Sequence, residues 1–191
     1  MFVQVIEAKV RDPDRLRSQI DKWLKDLAPG ATGWLGHTAG VAADGTFFAA
    51  VRFESADKAM ANRERPEQGA WWQETTRCLV GDARFADCSD VDTIAISAGS
   101  DDARFVQVMQ GRGDRHAMLT ATRGLERFFA RMRPDVLGAY VAWEGDDRFS
   151  QLVYFVSEAA AREGERRREI HFAAARFDRF IDLPEPWLAS A

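Results

Sequence analysis

The sequence predicts an α+β protein in which one β-α-β-β-α-β unit occurs twice in tandem. Three matched blocks carry this expectation. Phe2-Val3-Gln4-Val5-Ile6 recurs as Phe105-Val106-Gln107-Val108-Met109. Phe47-Phe48-Ala49-Ala50-Val51-Arg52-Phe53-Glu54-Ser55 recurs as Phe149-Ser150-Gln151-Leu152-Val153-Tyr154-Phe155-Val156-Ser157. Between them Pro29 and Gly33 are answered by Pro134 and Gly138, and Asp44-Gly45 by Asp146-Asp147. Blocks that keep their order and spacing mark a duplication.

Each element follows from local pattern. The first strand alternates, with Val3 and Val5 on one face and Phe2, Gln4 and Ile6 on the other. A helix from about Pro13 carries Leu16, Ile20, Trp23, Leu24 and Leu27 as one apolar stripe, and Pro29-Gly30 ends it. The matching helix carries Met118, Ala121, Leu125, Phe128, Phe129 and Met132 and stops at Pro134. Two strands then form hairpins around Ala43-Asp44-Gly45 and Glu144-Gly145-Asp146-Asp147. Ser55 and Ser157 are N-caps for a second helix, which in the first copy breaks near Pro66 and resumes through Trp71-Trp72. Final strands run over about Ala83–Asp90 and Phe177–Asp182.

This order is the ferredoxin-like arrangement, whose helices cover one sheet face and leave the other bare. The expected solution is an intrachain barrel: residues 1–96 form the first repeat, 97–103 a polar linker and 104–191 the second repeat, each hiding the other's bare sheet.

Composition narrows function by exclusion. The chain has 191 residues, 46% hydrophobic and 29% charged, with a formal net charge of -4. That balance gives no reason to expect nucleic acid or an anionic membrane as partner. Arg166-Arg167-Arg168 is flanked by Glu163, Glu165 and Glu169, which reads as a solvated helix face. Two cysteines, Cys78 and Cys88, without CxxC spacing suit a reduced, cytoplasmic setting. No signal peptide or membrane span is expected.

The Phe-Val-Gln-Val strands, the strand end Arg52-Phe53-Glu54-Ser55 and the helix Ala61-Asn62-Arg63-Glu64-Arg65-Pro66-Glu67-Gln68-Gly69-Ala70-Trp71-Trp72 together resemble antibiotic biosynthesis monooxygenase-like (ABM) proteins of the dimeric α/β-barrel superfamily. The likeness covers nearly the whole chain. It implies a pocket between sheet and helices, and a cofactor-independent oxygenation of an aromatic or polyketide-like substrate. It leaves open a non-catalytic barrel that holds a small hydrophobic or aromatic ligand, and a haem-binding or haem-degrading relative. No cofactor and no metal are expected, and a homodimer of the fused barrel stays open. The second copy departs from the pattern, with no Asn or Trp matching Asn62, Trp71 or Trp72, so the first copy is the expected host.

The resemblance nominates Asn62 and Trp72 as catalytic, with Trp71 beside them in the substrate wall. An aromatic wall holds a planar molecule, and an amide donor stabilises a developing oxyanion; core filling is the alternative for both tryptophans. His37, on a strand, suits a base because its ordinary pKa lies near neutrality. Gln4 and Gln107 either bind ligand or bridge the sheets. Arg52 is expected either to project toward an anionic ligand or to pair outward with an acid. Tyr140 and Tyr154 are further lining candidates. His116 reads as solvated, and His171 is where a haem-binding relative would place an axial ligand.

Overall fold

The structure, a computed structural model, describes residues 1–95, 101–122, 131, 133–166 and 175–191. Residues 97–100 of the expected linker, the helical positions Leu125, Phe128, Phe129 and Met132, residues Arg167 and Arg168, and His171 lie outside the described residues.

The duplication and the α+β class are borne out by two similar five-stranded sheets. In the first copy β1 (Phe2–Val10) leads to α1 (Pro13–Asp26), then to β2 (Trp34–Val41) and β3 (Thr46–Phe53). Two short helices follow, α2 (Ala56–Arg63) and α3 (Pro66–Thr76), and then β4 (Leu79–Cys88). In the second copy β6 (Phe105–Gly113) leads to α4 (Arg115–Thr122), β7 (Val136–Glu144), β8 (Arg148–Phe155), α5 (Glu158–Arg166) and β9 (Ala175–Leu183).

Two further strands complete the sheets. β5 (Asp90–Ala95) pairs with β7, and β10 (Trp187–Ser190) lies beside β2, giving the orders β10-β2-β3-β1-β4 and β5-β7-β8-β6-β9. The compact units are accordingly Met1–Ser89 with Ala189–Ala191, and Asp90–Leu188.

The internal match extends to register. Gln4 faces Val51 across β1 and β3, and Gln107 faces Val153 across β6 and β8. Each β2-type strand carries a bulge at the same place, between Trp34 and Gly36 and between Val136 and Gly138. Gly36 has φ +135, and a Cβ there would meet the Ala189 carbonyl oxygen and the Arg52 guanidinium. A side chain at that position would push away the edge strand β10.

Alternation along the strands separates two faces in each sheet. In the first unit Phe2, Phe53 and Trp34 pack with Trp23 and Leu27 on the helix-covered side. Val3, Val5, Phe48 and Ala50 point the other way and are buried as well. In the second unit Phe105, Ala139, Val141 and Val153 pack with Met118 and Ala161 of the helices, while Val106, Val108 and Leu152 occupy the opposite face.

Polar caps fix the helix starts. Asp12 accepts from the Arg15 N–H at 3.0 Å, Ser55 from Lys58 at 3.3 Å and Ser157 from Ala160 at 3.2 Å. Cys78 and Cys88 are buried and unbridged, and burial pushes the Cys78 thiol up. No described helix is long and apolar enough to cross a membrane.

The β2–β3 hairpin is tied by Asp44. Its carboxylate accepts from Lys9 at 2.9 Å, from the Thr46 hydroxyl at 3.0 Å and from the Thr46 N–H at 2.9 Å. The Lys9 bond first, then the Thr46 hydroxyl and N–H, holds the carboxyl down at about 2. A folded value below the unfolded one, about 4, gives stabilisation that is complete above that pH and disappears as the pH falls through the folded value. Both partners are more than half exposed, so Asp44→Asn is expected to cost less than about 1 kcal/mol at neutral pH. Urea midpoints of wild type and Asp44→Asn, measured across this range, should converge at the acid end. A gap that widens on acidification would contradict the assignment.

Candidate functional site

The helix-covered face of the first sheet is incompletely filled. Between it and α1–α3 lies a cavity of about 430 Å³, and Gln4, His37, Asn62, Trp71 and Trp72 all line it. Five sequence-nominated residues, spread over four elements, therefore share one space.

Local chemistry explains how the helices leave that space. Pro66 cannot continue α2, and the residue before a proline is driven out of helical geometry. Arg65 is accordingly extended, with φ -66 and ψ 129, and α3 starts afresh at Pro66. Trp71 and Trp72 are consequently placed by their own short helix. Trp71 is pinned by its indole N–H, which donates to the Gln19 carbonyl of α1 at 2.8 Å.

The wall is a run of aromatic contacts. Phe85 and Trp72 lie 5.3 Å apart between ring centroids, Trp72 and Trp71 5.9 Å, Trp71 and Trp23 6.3 Å, and Trp23 and Trp34 5.3 Å. Tilted and edge-on pairs at these separations are favourable in themselves and present ring faces to whatever fills the gap. Ile6, Ala39, Phe47 and Val51 supply an aliphatic and aromatic floor from the sheet.

A few polar groups break this surface. Gln4 donates its Nε2 to Asp87 at 2.8 Å. Asn62 is 8% exposed, and its Oδ1 accepts from Arg65 Nη1 at 2.9 Å. His37 is buried on β2, its ring 6.1 Å from that of Trp34. Arg63 and Asp87, both exposed, add one charge of each sign to the lining. An apolar slot with a few fixed polar groups is the usual make-up of a small-molecule site.

The other nominated residues lie elsewhere. Arg52 sits between Val51 and Phe53, which face the cavity, so its side chain is on the opposite face of the sheet. It is buried there and donates to Thr38 Oγ1 at 3.2 Å, an arrangement that is neither cavity lining nor an outward ion pair. Tyr140 and Tyr154 belong to the second unit and hold the positions matching Thr38 and Arg52. Both are fully buried, stacked at 6.3 Å and 28°.

Gln107 matches Gln4 but has different company. It donates to Glu165 at 2.8 Å and to Asp182 at 3.2 Å. Arg162 binds the same two acids and Glu158. These bonds raise the Arg162 pKa, Asp182 contributing most. Where the first unit has a glutamine beside a cavity, the second has an ion-paired network over the matching glutamine. Asn62 itself is matched by Gly164, counting from the caps Ser55 and Ser157. Among the described residues no cluster of His, Cys, Asp and Glu is arranged to hold a metal ion. His116 is exposed.

Among the lining residues not nominated from the sequence are Trp23 and Gln68. Trp23 registers there only as part of a core stripe, and Gln68 only as part of the α2–α3 segment. The helix break at Pro66 was the available signal that Gln68 and the tryptophans belong to a separately oriented element.

No protein family and no curated protein matches the sequence. Solved structures do match it in fold. A candidate monooxygenase from Fusobacterium nucleatum is 8% identical over 99% of this chain and 94% of its own, with a TM-score of 0.73. One from Lactobacillus acidophilus is 8% identical over 99% and 95%, with a TM-score of 0.67. An anthrone oxidase-like protein is 10% identical over 98% and 92%, with a TM-score of 0.58. Likeness at this identity is likeness of fold alone, and it agrees with an α+β chain in which a ferredoxin-like unit is present twice.

Proposed function

We propose that the first-unit cavity binds a small planar aromatic or polyketide-like molecule and oxygenates it without a cofactor, as in ABM-like proteins. The observation that carries the reading is the cavity of about 430 Å³ walled by Trp23, Trp71, Trp72 and Phe85. The fold shared with candidate monooxygenases and an anthrone oxidase-like protein is in keeping with it.

The chemistry asked of the residues is limited. An activated CH2 beside an aromatic ring and a carbonyl loses a proton, and His37, which lines the cavity, is the base assigned to take it. The negative charge passes to the substrate oxygen, where the Asn62 amide donates a hydrogen bond. The resulting anion is itself the reductant for dioxygen. Overall CH2 and O2 become C=O and H2O, so one oxygen atom enters the product, the other leaves as water, and no external electron donor is needed.

An oxygen electrode tests this with a panel of anthrones and electron-rich phenols. Wild type should consume one O2 per ketone formed. A panel that raises the melting temperature with no oxygen uptake would support a binding protein and reject the oxygenase.

A further inference from the structure

Two side-chain amides face the cavity from the helices, and each is held by a partner that can only donate. Asn62 Oδ1 accepts from Arg65 Nη1 at 2.9 Å, and Gln68 Oε1 accepts from the Trp23 indole N–H at 2.6 Å. A guanidinium and an indole N–H have no acceptor lone pair to offer. Neither amide can therefore flip without setting N–H against N–H. In both, the oxygen is committed to the protein, and the NH2 is the end left for the cavity that both residues line.

Arg65 is itself fixed. Its Nη1 also donates to the Leu27 carbonyl at 3.0 Å, and its Nε to Glu67 at 2.9 Å. Its guanidinium passes so close to Gly30 that a Cβ there would stand 2.6 Å from Nη2. The extended backbone before Pro66 aims Arg65 back at α2 and the end of α1.

On the opposite wall the logic is reversed. Gln4 gives its Nε2 to the Asp87 carboxylate at 2.8 Å, and an ionised carboxylate only accepts, so Oε1 is the free end of Gln4.

We infer that Gln68 is a ligand-binding residue which, with Asn62, presents a pair of hydrogen-bond donors to acceptor oxygens of the ligand, and that Trp23 and Arg65 are the positioning residues that keep both amides in that sense. The inference rests on the first-unit cavity being the binding site, and it specifies which edge of the ligand meets the helices: the one bearing carbonyl or phenolate oxygens.

The test compares two flat molecules of one shape, fluorenone with its carbonyl and fluorene with a CH2 in its place, titrated by quenching of tryptophan fluorescence. Wild type should bind fluorenone at least about tenfold more tightly than fluorene, because only the ketone satisfies the donors. Gln68→Glu and Asn62→Asp keep size and shape but replace the inward NH2 by an acceptor. Each should reduce the ketone-to-hydrocarbon ratio about tenfold and leave fluorene affinity nearly unchanged. Arg65→Met should lower the same ratio by freeing Asn62 to rotate. General damage to the fold would weaken both molecules together and leave the ratio intact. Equal binding of the two by wild type, or a ratio unmoved in Gln68→Glu, overturns the donor arrangement while leaving the cavity reading standing. Failure of both molecules to bind wild type overturns the cavity reading and this inference with it.

Discussion

Replacing Trp23 with alanine is expected to destabilise the protein by about 3–5 kcal/mol, the range for deleting a buried indole from a packed site. Trp23 is 6% exposed and touches both neighbouring rings, Trp34 at 5.3 Å and Trp71 at 6.3 Å. Its N–H also holds Gln68. The substitution thus removes apolar burial, enlarges a space that is already a cavity, and leaves an amide oxygen without its donor. Trp23→Phe keeps most of the volume and loses only the hydrogen bond, so it should cost about 1–2 kcal/mol. Chemical denaturation with unchanged slopes would report both values directly. A cost for Trp23→Ala below that for Trp23→Phe would mean that the ring supports nothing.

The second large effect concerns activity. Asn62→Ala is expected to lower kcat about 100- to 1000-fold with a smaller change in KM, the signature of losing a donor to a developing oxyanion. The site is 8% exposed, so water does not readily replace the lost NH2. The same substitution removes the acceptor of Arg65 Nη1, but Arg65 keeps Leu27 and Glu67, so the helix junction should survive. A melting temperature close to wild type would accompany the loss of turnover. An equal fall in kcat and stability would instead mark Asn62 as a purely structural cap.

Much of this architecture was legible in the chain because it is local or repeated. Phe-Val-Gln-Val occurs twice, so one strand assignment supports the other, but the register matches Gly138 to Gly36 at the bulge and not to Gly33 as the sequence blocks suggest. Ser55, Pro66 and Pro134 are punctuation with a direct steric or capping meaning. Gln4, His37, Asn62, Trp71 and Trp72 line one space, His37 and Gln4 from their strands and the others from their helices.

What escaped depends on pairings distant in sequence or on which face a residue takes. Asp90–Ala95 falls in the expected first repeat, and nothing local in it shows that it pairs with β7 some 44–53 residues away. Trp187–Ser190 is four residues long, too short for a periodicity, and joins a strand from the other end of the chain. Arg52 shows the second kind of failure. Strand alternation already places Val51 and Phe53 on one face and Arg52 on the other, but nothing local says which face borders a cavity. Tyr154 fills the matching place in the second unit and stacks on Tyr140, as Arg52 in the first unit bonds to Thr38. Gln68 was silent because its role depends on an indole N–H 45 residues earlier.

The central claim is that ligand enters the space behind the first sheet, against Trp23, Trp71 and Trp72. The chain has six tryptophans, so its indole N–H resonances are few enough to follow individually during a fluorenone titration. Shifts in Trp71 and Trp72, with Trp23 following and Trp143 of the second unit unmoved, are the expected result. Saturable shifts confined to Trp143, with those three still, would contradict it.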